Sequence, residues 1–250
     1  MSEFVTRHVD NGVMQLRLNR PEKKNALTLA MYEGLAEGLR AAAADPAVRV
    51  VLLGGGADFT AGNDLKDFAA AGSQENRPGS AFDFLREIRV FPKPVVAAVR
   101  GVAVGIGTTM LLHCDVVVAS ATARFQIPFS RLGVTPEGGS SMLLAGRVGD
   151  ARARWLLMAG EAFSGRQAAL WGLALEAPED DEVEAVAMER ARLLAGLPPK
   201  ALAESKRLLL EPQREKLAAV MDEERVVFSK ALRSEEAQAA FQAFLSRAKG

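Results

Sequence analysis

The chain is predicted to be an α/β protein, with mostly parallel strands in its first half and helices in its second. Two apolar runs, 48–53 and 95–99, lack polar alternation, which is typical of strands covered on both faces. Two segments have helical spacing: 28–44 lies before the first of these strands, and 81–90 lies between the two. This alternation favours parallel pairing. After about residue 136 the apolar pattern becomes mostly helical.

The other elements of the first half follow from turn and cap signals. Residues 13–18 (VMQLRL) nearly alternate and predict a strand, and Thr28 is a suitable N-cap for the next helix. The apolar region 94–119 predicts a strand, a glycine turn at 101–107, a short buried helix and a second strand at 115–119. Because glycines interrupt this region, a membrane-spanning helix is the weaker interpretation.

The second half is predicted to be a series of helices, at 138–147, 150–159, 164–171, 180–195, 199–210, 213–231 and 234–247. The sequence GLPP at 196–199 is the best internal boundary, and it divides the chain into regions 1–195 and 196–250. The polar segment 70–80 is predicted to be a mobile surface loop. It follows a short helix expected after residue 65.

The neutral composition excludes some classes of partner. The 250-residue chain carries 31 Lys and Arg and 31 Asp and Glu, so its formal net charge is zero. Such a chain has no general attraction for nucleic acid or for an anionic membrane. It also has little charge repulsion to oppose self-association.

Cysteine and histidine usage narrows the chemistry. Cys114 is the only cysteine, which excludes an internal disulfide and fits a reducing compartment. His8 and His113 are far apart, and no Cys, His or carboxylate cluster has metal-ligand spacing, so no metal site is predicted. The N-terminus has no apolar run behind a basic start, so a secretory signal is not expected. A cytoplasmic location is therefore expected.

Two glycine-containing segments each follow a predicted strand. In 59–65 (FTAGNDL), Gly62 permits close backbone approach and the next amides point outward at a helix start. In 100–107 (RGVAVGIG), the amide of Ile106 is placed in the same way, and Met110 stands where a dinucleotide fingerprint needs its third glycine. Alone, the first segment is better explained as an ordinary strand-to-helix turn, and the second as glycine used for close helix–strand packing. Together they predict an oxyanion hole for an acyl group.

The segment 129–141 (FSRLGVTPEGGSS) carries a candidate base. Locally, Thr135 is a suitable N-cap, Pro136 suits the first helical position and Glu137 suits the second, so a capping role explains this glutamate. If Glu137 is instead catalytic, burial beside Phe129 and an apolar helix is expected to raise its pKa.

Seven motifs, taken in order and at this spacing, resemble the enoyl-CoA hydratase/isomerase (crotonase) family along nearly the whole chain. They are LNRP at 18–21, NAL at 25–27, FTAGNDL at 59–65, GVA at 101–103, GIG at 105–107, CD at 114–115 and the segment 129–141. The resemblance implies an α/β, crotonase-like spiral of ββα units with a C-terminal helical region. Region 1–195 would be the core that holds coenzyme A and the active site. Region 196–250 would serve oligomerisation, as a homotrimer or homohexamer.

The resemblance also implies the site residues. The catalytic set is the base Glu137 with the amides of Asn63 and Ile106, which hold the thioester oxygen. The substrate and coenzyme A contacts would be Lys24, Asn25, Ala26, Leu27, Ala61, Gly62, Asp64, Leu65, Gly105, Gly107 and Phe129. Coenzyme A would enter as part of the acyl-CoA thioester substrate, with no permanently bound cofactor.

The reaction follows from which carboxylates are present. Hydratases of this family use two glutamates, and this sequence has Thr109 and Phe129 at the matching positions. The segment 136–138 resembles the Δ3,Δ2-enoyl-CoA isomerase branch, in which Glu137 would be the only catalytic base. An isomerase is therefore favoured. A hydratase, thioesterase or lyase on the same scaffold, and a coenzyme-A-binding module without turnover, remain open.

Several further side chains have assigned expectations. His113 is expected to be a satisfied core or interface histidine rather than a base. Phe244 is a candidate for completing a neighbouring subunit's site. The candidates for the acyl pocket are Leu65, Phe68, Phe84, Met142 and Leu143.

Overall fold

The computed structural model describes residues 3–64 and 80–247, with side chains described as far as residue 243. The strands are β1 Val5–Asp10, β2 Val13–Leu18, β3 Val50–Gly54, β4 Val95–Val99, β5 Val102–Val104, β6 Val116–Ala119, β7 Arg124–Gln126 and β8 Ala162–Ser164.

Most of the helices lie in the second half of the chain. The helices are α1 Leu29–Ala44, α2 Ala81–Val90, α3 Ile106–Thr109, α4 Ser140–Val148, α5 Asp150–Ala159, α6 Gly165–Trp171, α7 Val183–Ala195, α8 Pro199–Leu210, α9 Arg214–Leu232 and α10 Glu235–Arg247. A 3-10 turn, Met110–His113, continues α3.

Two sheets form the core of the α/β fold. The larger has the order β1-β2-β3-β4-β6, and the smaller has the order β5-β7-β8. From β2 to β6 the neighbours in the larger sheet are parallel, as predicted, whereas β1 pairs antiparallel with β2. The sequence did not indicate β1 or the three-residue strands β5, β7 and β8.

Strand β3 is covered on both faces, as its unbroken apolar run predicts. Val51 and Leu53 belong to the large core that also contains the buried side of α1. Val50 and Leu52 face the opposite way and pack with the buried residues of α7. Because both faces are dry, alternation is absent from the strand.

The predicted N-cap is correct for α1 and wrong for α4. The Thr28 hydroxyl accepts a hydrogen bond from the Met31 amide at 3.3 Å, so the predicted N-cap is confirmed. Helix α4 instead begins at Ser140, with Gly139 as its N-cap. The Thr135 hydroxyl is buried and has no partner among the described residues, so its predicted capping role is wrong. The left-handed φ of 67° at Gly138 and 76° at Gly139 delays the helix.

The C-terminal helical region is anchored to the sheet by a buried lysine. Lys206 on α8 is 8% exposed, and its Nζ lies 2.8 Å from Asp115 Oδ2 and 2.8 Å from the Lys93 carbonyl oxygen. Asp115 also accepts the Val95 amide at 2.7 Å. This pair therefore ties α8 to the starts of β4 and β6.

Some expectations concern residues outside the described ranges. They include residues 70–79 of the predicted surface loop, the short helix expected after residue 65, and the side chains of Leu65, Phe68 and Phe244. Within the described ranges, no helix combines the length and apolar character that crossing a bilayer requires.

Replacing Lys206 by alanine is predicted to lower the free energy of unfolding by about 2–3 kcal/mol. The substitution leaves Asp115 without its cation, and the expected loss is near the low end for broken buried pairs because Asp115 is 29% exposed. Urea unfolding at neutral pH measures the effect. Lys200→Ala, an exposed lysine of the same helix, is the control. Equal losses in both variants would show that the ion pair contributes nothing.

Candidate active site

The two glycine-containing segments meet in the structure. Thr60 forms a parallel bridge with Ala103 of β5. A Cβ on Gly62 would lie 2.7 Å from the Val104 carbonyl oxygen, closer than a side chain permits, and Gly62 has a φ of +88°. Only glycine allows this approach, and the approach places Asn63 beside the start of α3.

Both predicted oxyanion amides point away from their own secondary structure. The Leu27 amide donates to the Gly62 carbonyl at 2.7 Å, and the Asp64 amide donates to the Leu27 carbonyl at 2.9 Å. Between these bonds, the Asn63 amide has no acceptor in the described part of the chain. Ile106 is the first residue of α3, so its amide has no intrahelical partner. Two backbone donors are thus available to a ligand oxygen.

The Asn63 side chain is fixed by a buried tyrosine. Tyr32 of α1 is 2% exposed, and its hydroxyl donates to Asn63 Oδ1 at 2.5 Å. Burial, followed by the negative charge of Glu137, raises the pKa of Tyr32 well above its ordinary value. Tyr32 therefore stays neutral and lies within electrostatic reach of both Asn63 and Glu137.

Glu137 is a buried carboxyl group, 4% exposed, at the end of the loop before α4. Burial raises its pKa to about 8. A hydrogen bond donated by the Thr109 hydroxyl opposes the increase, and the negative charge of Glu224 adds to it. Thr109 is the last residue of the same short helix whose first residue is Ile106. A pKa near the working pH is what a general base requires.

The turn that follows Glu137 is held on both sides. His113 Nε2 lies 2.7 Å from the Gly138 carbonyl oxygen, and burial lowers the pKa of His113 to about 4. The neutral ring must therefore donate its Nε2 proton to this carbonyl. This bond confirms the expectation of a satisfied histidine. On the other side, Glu224 of α9 accepts the Gly139 amide at 2.6 Å, a contact that nothing in the local sequence indicated.

A cavity of about 1200 Å³ opens beside the two glycine-containing segments, 59–65 and 100–107. Its lining includes nine of the predicted site residues: Lys24, Ala26, Ala61, Gly62, Asn63, Asp64, Gly105, Ile106 and Phe129. Glu137 does not line this cavity as the described residues form it. Its relation to the cavity is indirect: Thr109, which donates to Glu137, lies on the same short helix as the lining residue Ile106.

Three other predicted contacts belong to the scaffold. Asn25 is 1% exposed, and its amide group donates to the Gly55 carbonyl at 2.8 Å and to the Asp58 carbonyl at 2.6 Å. Leu27 is buried in the core. A Cβ on Gly107 would lie 2.6 Å from Thr60 Cγ2, so this glycine allows α3 to approach Thr60. These residues shape the site without lining its cavity.

The cavity has a basic portion and an aromatic portion. The basic residues in its lining are Arg20, Lys23, Lys24, Arg124 and Arg131. Arg20 also pairs with Asp64 at 2.7 Å, which fixes the end of the oxyanion segment. Apart from the adjacent Lys23 and Lys24, these cations are scattered in sequence, so no local pattern indicates that they line one cavity.

The aromatic portion is supplied partly by the C-terminal helices. Phe129 packs edge-on against Phe228 of α9, with ring centroids 6.2 Å apart, and Phe241 of α10 also lines the cavity. The sequence predicts the helix at 234–247 but not its contribution to this cavity. Of the expected acyl-pocket residues, Phe84 is instead buried in the core against Tyr32, and Met142 and Leu143 are absent from the lining.

Comparison with known proteins identifies the family. The sequence profile described as enoyl-CoA hydratase/isomerase matches residues 8–250. The chain belongs to this family of enzymes, and the α/β, crotonase-like fold with a C-terminal helical region is confirmed. The solved structure of Pseudomonas aeruginosa OdaA superposes with a TM-score of 0.93 and 50% identity, covering 97% of this chain and 99% of that one.

Two curated relatives are named as isomerases. Enoyl-CoA delta isomerase 2 of Rattus norvegicus is 37% identical over 243 residues, covering 95% of this chain but only 62% of the rat protein. The 1,2-epoxyphenylacetyl-CoA isomerase of Escherichia coli K12 is 36% identical over 254 residues, covering 99% of this chain and 97% of the relative. The chain thus spans about three fifths of one relative and nearly all of the other.

Thr109→Val is predicted to shift the pH dependence of catalysis toward higher pH. Loss of the hydrogen bond that opposes the burial effect raises the pKa of Glu137 above about 8, so less base is ionised at neutral pH. A hydrogen bond to a charged group is worth about 1.5–3 kcal/mol, so activity near pH 7 is expected to fall by roughly tenfold or more. The pH profile of kcat/KM is the measurement.

Thr109→Ser is the matched control, because it retains the hydroxyl and should keep the midpoint of the parent profile. If the valine and serine variants have the same midpoint, the hydroxyl does not act on Glu137.

Proposed function

We propose that this protein is an acyl-CoA isomerase that moves the double bond of a 3-enoyl-CoA to the 2-position. The observation that carries the proposal is one buried carboxyl group, Glu137, with a pKa raised to about 8 and a single hydroxyl donor, Thr109. A group of this kind takes up a proton and releases it again near neutral pH.

The reaction needs two proton transfers and one stabilised intermediate. The Glu137 carboxylate removes a proton from C2, and the electrons of that C–H bond form the C1–C2 double bond of a dienolate while negative charge moves to the thioester oxygen. The oxygen then re-forms its carbonyl, the C1–C2 π electrons form the C2–C3 double bond, and the electrons of the original C3–C4 double bond take the proton from Glu137 at C4. Atoms and electrons balance without a second acid or base.

The dienolate oxygen would accept hydrogen bonds from the amides of Asn63 and Ile106. Each of these donors is fixed by backbone packing before substrate arrives, since Gly62 contacts Val104 and Ile106 begins α3. One preorganised donor of this type typically contributes roughly 3–4 kcal/mol to transition-state stabilisation. Coenzyme A would occupy the basic portion of the cavity, along Lys24 and Ala26 and along 61–65.

Hydration is disfavoured by the residues next to the base. Family hydratases use two glutamates, and Thr109 and Phe129 occupy those positions. Phe129 is 5% exposed and packs against Phe228, so it offers water no polar atom. Thr109 donates its hydroxyl to Glu137. A second carboxylate to activate water is therefore missing from these two positions.

We also propose that the protein forms a homotrimer or homohexamer in the cytoplasm. Support for assembly comes from α8, on which Leu208 and Leu209 are 62% and 76% exposed beside the half-exposed Leu210. Contiguous apolar surface of this kind is uncommon on monomers and typical of subunit contacts. Light scattering after size exclusion tests the assembly. The parent should have the mass of a trimer or hexamer, and Leu209→Lys should reduce that mass. A parent with the mass of a monomer would contradict the proposal.

Glu137→Gln is predicted to abolish isomerisation while substrate still binds. Loss of a positioned general base removes about 10²–10⁴-fold of rate, and the amide keeps the size of the side chain. The measurement is the absorbance change as a 3-enoyl-CoA becomes the conjugated 2-enoyl-CoA, with coenzyme A binding followed by calorimetry. Glu33→Gln, an exposed glutamate on α1, is the control and should keep the parent rate.

Two results would contradict the proposal. One is a parent enzyme that hydrates 2-enoyl-CoA and leaves 3-enoyl-CoA unchanged, which would point to the hydratase alternative. The other is isomerisation that persists at the parent rate in Glu137→Gln, which would place the base elsewhere.

A further inference from the structure

The most unusual carboxylate outside the proposed catalytic set is Glu224 on α9. It is 8% exposed, although α9 is otherwise a largely exposed helix. One oxygen accepts the Gly139 amide at 2.6 Å. The other accepts the Ser141 amide at 2.9 Å and the Ser141 hydroxyl at 2.6 Å. Glu224 therefore caps α4 from a different helix, because the N-cap residue Gly139 has no side chain to do so.

The charge of Glu224 is held by neutral donors. Its partners among the described residues are Gly139 and Ser141, with no Lys, Arg or His side chain in contact. The positive end of the α4 dipole faces the same carboxylate. Because these donors are neutral, none of them carries a positive charge that would offset the charge of this carboxylate.

The residues that Glu224 holds are those that present the base. Glu137 is followed by two glycines in the left-handed conformation, and the Ser140 amide donates back to the Glu137 carbonyl at 3.2 Å. A Cβ on Gly139 would lie 2.6 Å from Leu217 Cδ1, so the turn is pressed onto α9. With bonds from both sides, the turn has little freedom to move.

We infer that Glu224 is a positioning residue for the base: it fixes the two-glycine turn that presents Glu137 and places a buried negative charge beside it. This inference rests on the proposed role of Glu137. A like charge disfavours the ionised form of a neighbouring carboxyl group, so Glu224 makes Glu137 a stronger base.

The groups around Glu137 and the turn that follows it come from four elements. They are Tyr32 of α1, Thr109 of α3, His113 of the following 3-10 turn and Glu224 of α9. Tyr32 is neutral because burial raises its pKa, and His113 is neutral because burial lowers its pKa to about 4. Of these four, Glu224 is the one that acts on Glu137 through its charge.

The test compares three substitutions in the full-length protein. Glu224→Gln removes the charge, Glu224→Asp keeps the charge but withdraws it from the amides, and Leu217→Ala loosens the same turn without touching the charge. The Glu137 carboxyl is titrated by 13C NMR after labelling of glutamate side chains, with its signal assigned by absence from Glu137→Gln. The pH profile of kcat with 3-enoyl-CoA is measured in parallel.

We expect Glu224→Gln to move the titration midpoint of Glu137 to lower pH, whereas Glu224→Asp and Leu217→Ala keep the midpoint of the parent. We expect Glu224→Asp to lower the plateau value of kcat by about 10- to 100-fold, because a displaced base is far less effective. If Glu224→Gln does not fold, the aspartate variant alone decides the positioning role through its kcat.

The inference is overturned if Glu224→Gln and Leu217→Ala shift the midpoint equally, or if neither shifts it, since Glu224 would then be a packing residue only. A parent value of kcat in Glu224→Asp overturns the positioning role. If the enzyme does not isomerise 3-enoyl-CoA yet the NMR midpoint moves as expected, the proposed function fails while the action of Glu224 on Glu137 stands.

Discussion

The site depends on one four-residue helix, α3, which connects a proposed oxyanion amide with the proposed base. Its first residue, Ile106, has an amide with no intrahelical partner, and its last residue, Thr109, donates a hydrogen bond to the buried Glu137, the proposed base. The helix reaches this position only because Gly107 lets it approach Thr60 and Gly62 lets the oxyanion segment approach Val104. The proposed oxyanion donors and the proposed base are therefore fixed by the same backbone packing.

Among the described residues, the groups that shift the pKa of the buried Glu137 include no cation. A buried carboxylate beside an arginine or lysine would be stabilised in its ionised form and would be a weak base. Here Glu137 faces a hydroxyl, a neutral phenol and a second carboxylate, and its pKa rises to about 8. The cations line the cavity instead, where an anionic ligand would place its charges. The fold thus separates the groups suited to binding from the group suited to proton transfer.

Features with local causes were predictable from the sequence, and features made by distant partners were not. The unbroken apolar runs gave β3 and β4, and Thr28 gave the start of α1. The strands β5, β7 and β8 have only three residues each, and their partners define them more than their sequence does. Glu224 contacts residues 83 and 85 positions away, so no local pattern could assign it. The prediction of Thr135 as an N-cap was wrong because two left-handed glycines delay the start of α4.

An isotope experiment can show whether one buried carboxyl group carries the proton from C2 to C4. A 3-enoyl-CoA deuterated at C2 is converted to low extent in ordinary water, and the product is analysed by mass spectrometry and NMR. A single shielded base predicts deuterium at C4 in a substantial fraction of the product. If C4 contains only protium from solvent at the earliest conversion, the proton removed from C2 is not the one delivered to C4, and direct transfer by a shielded Glu137 is wrong.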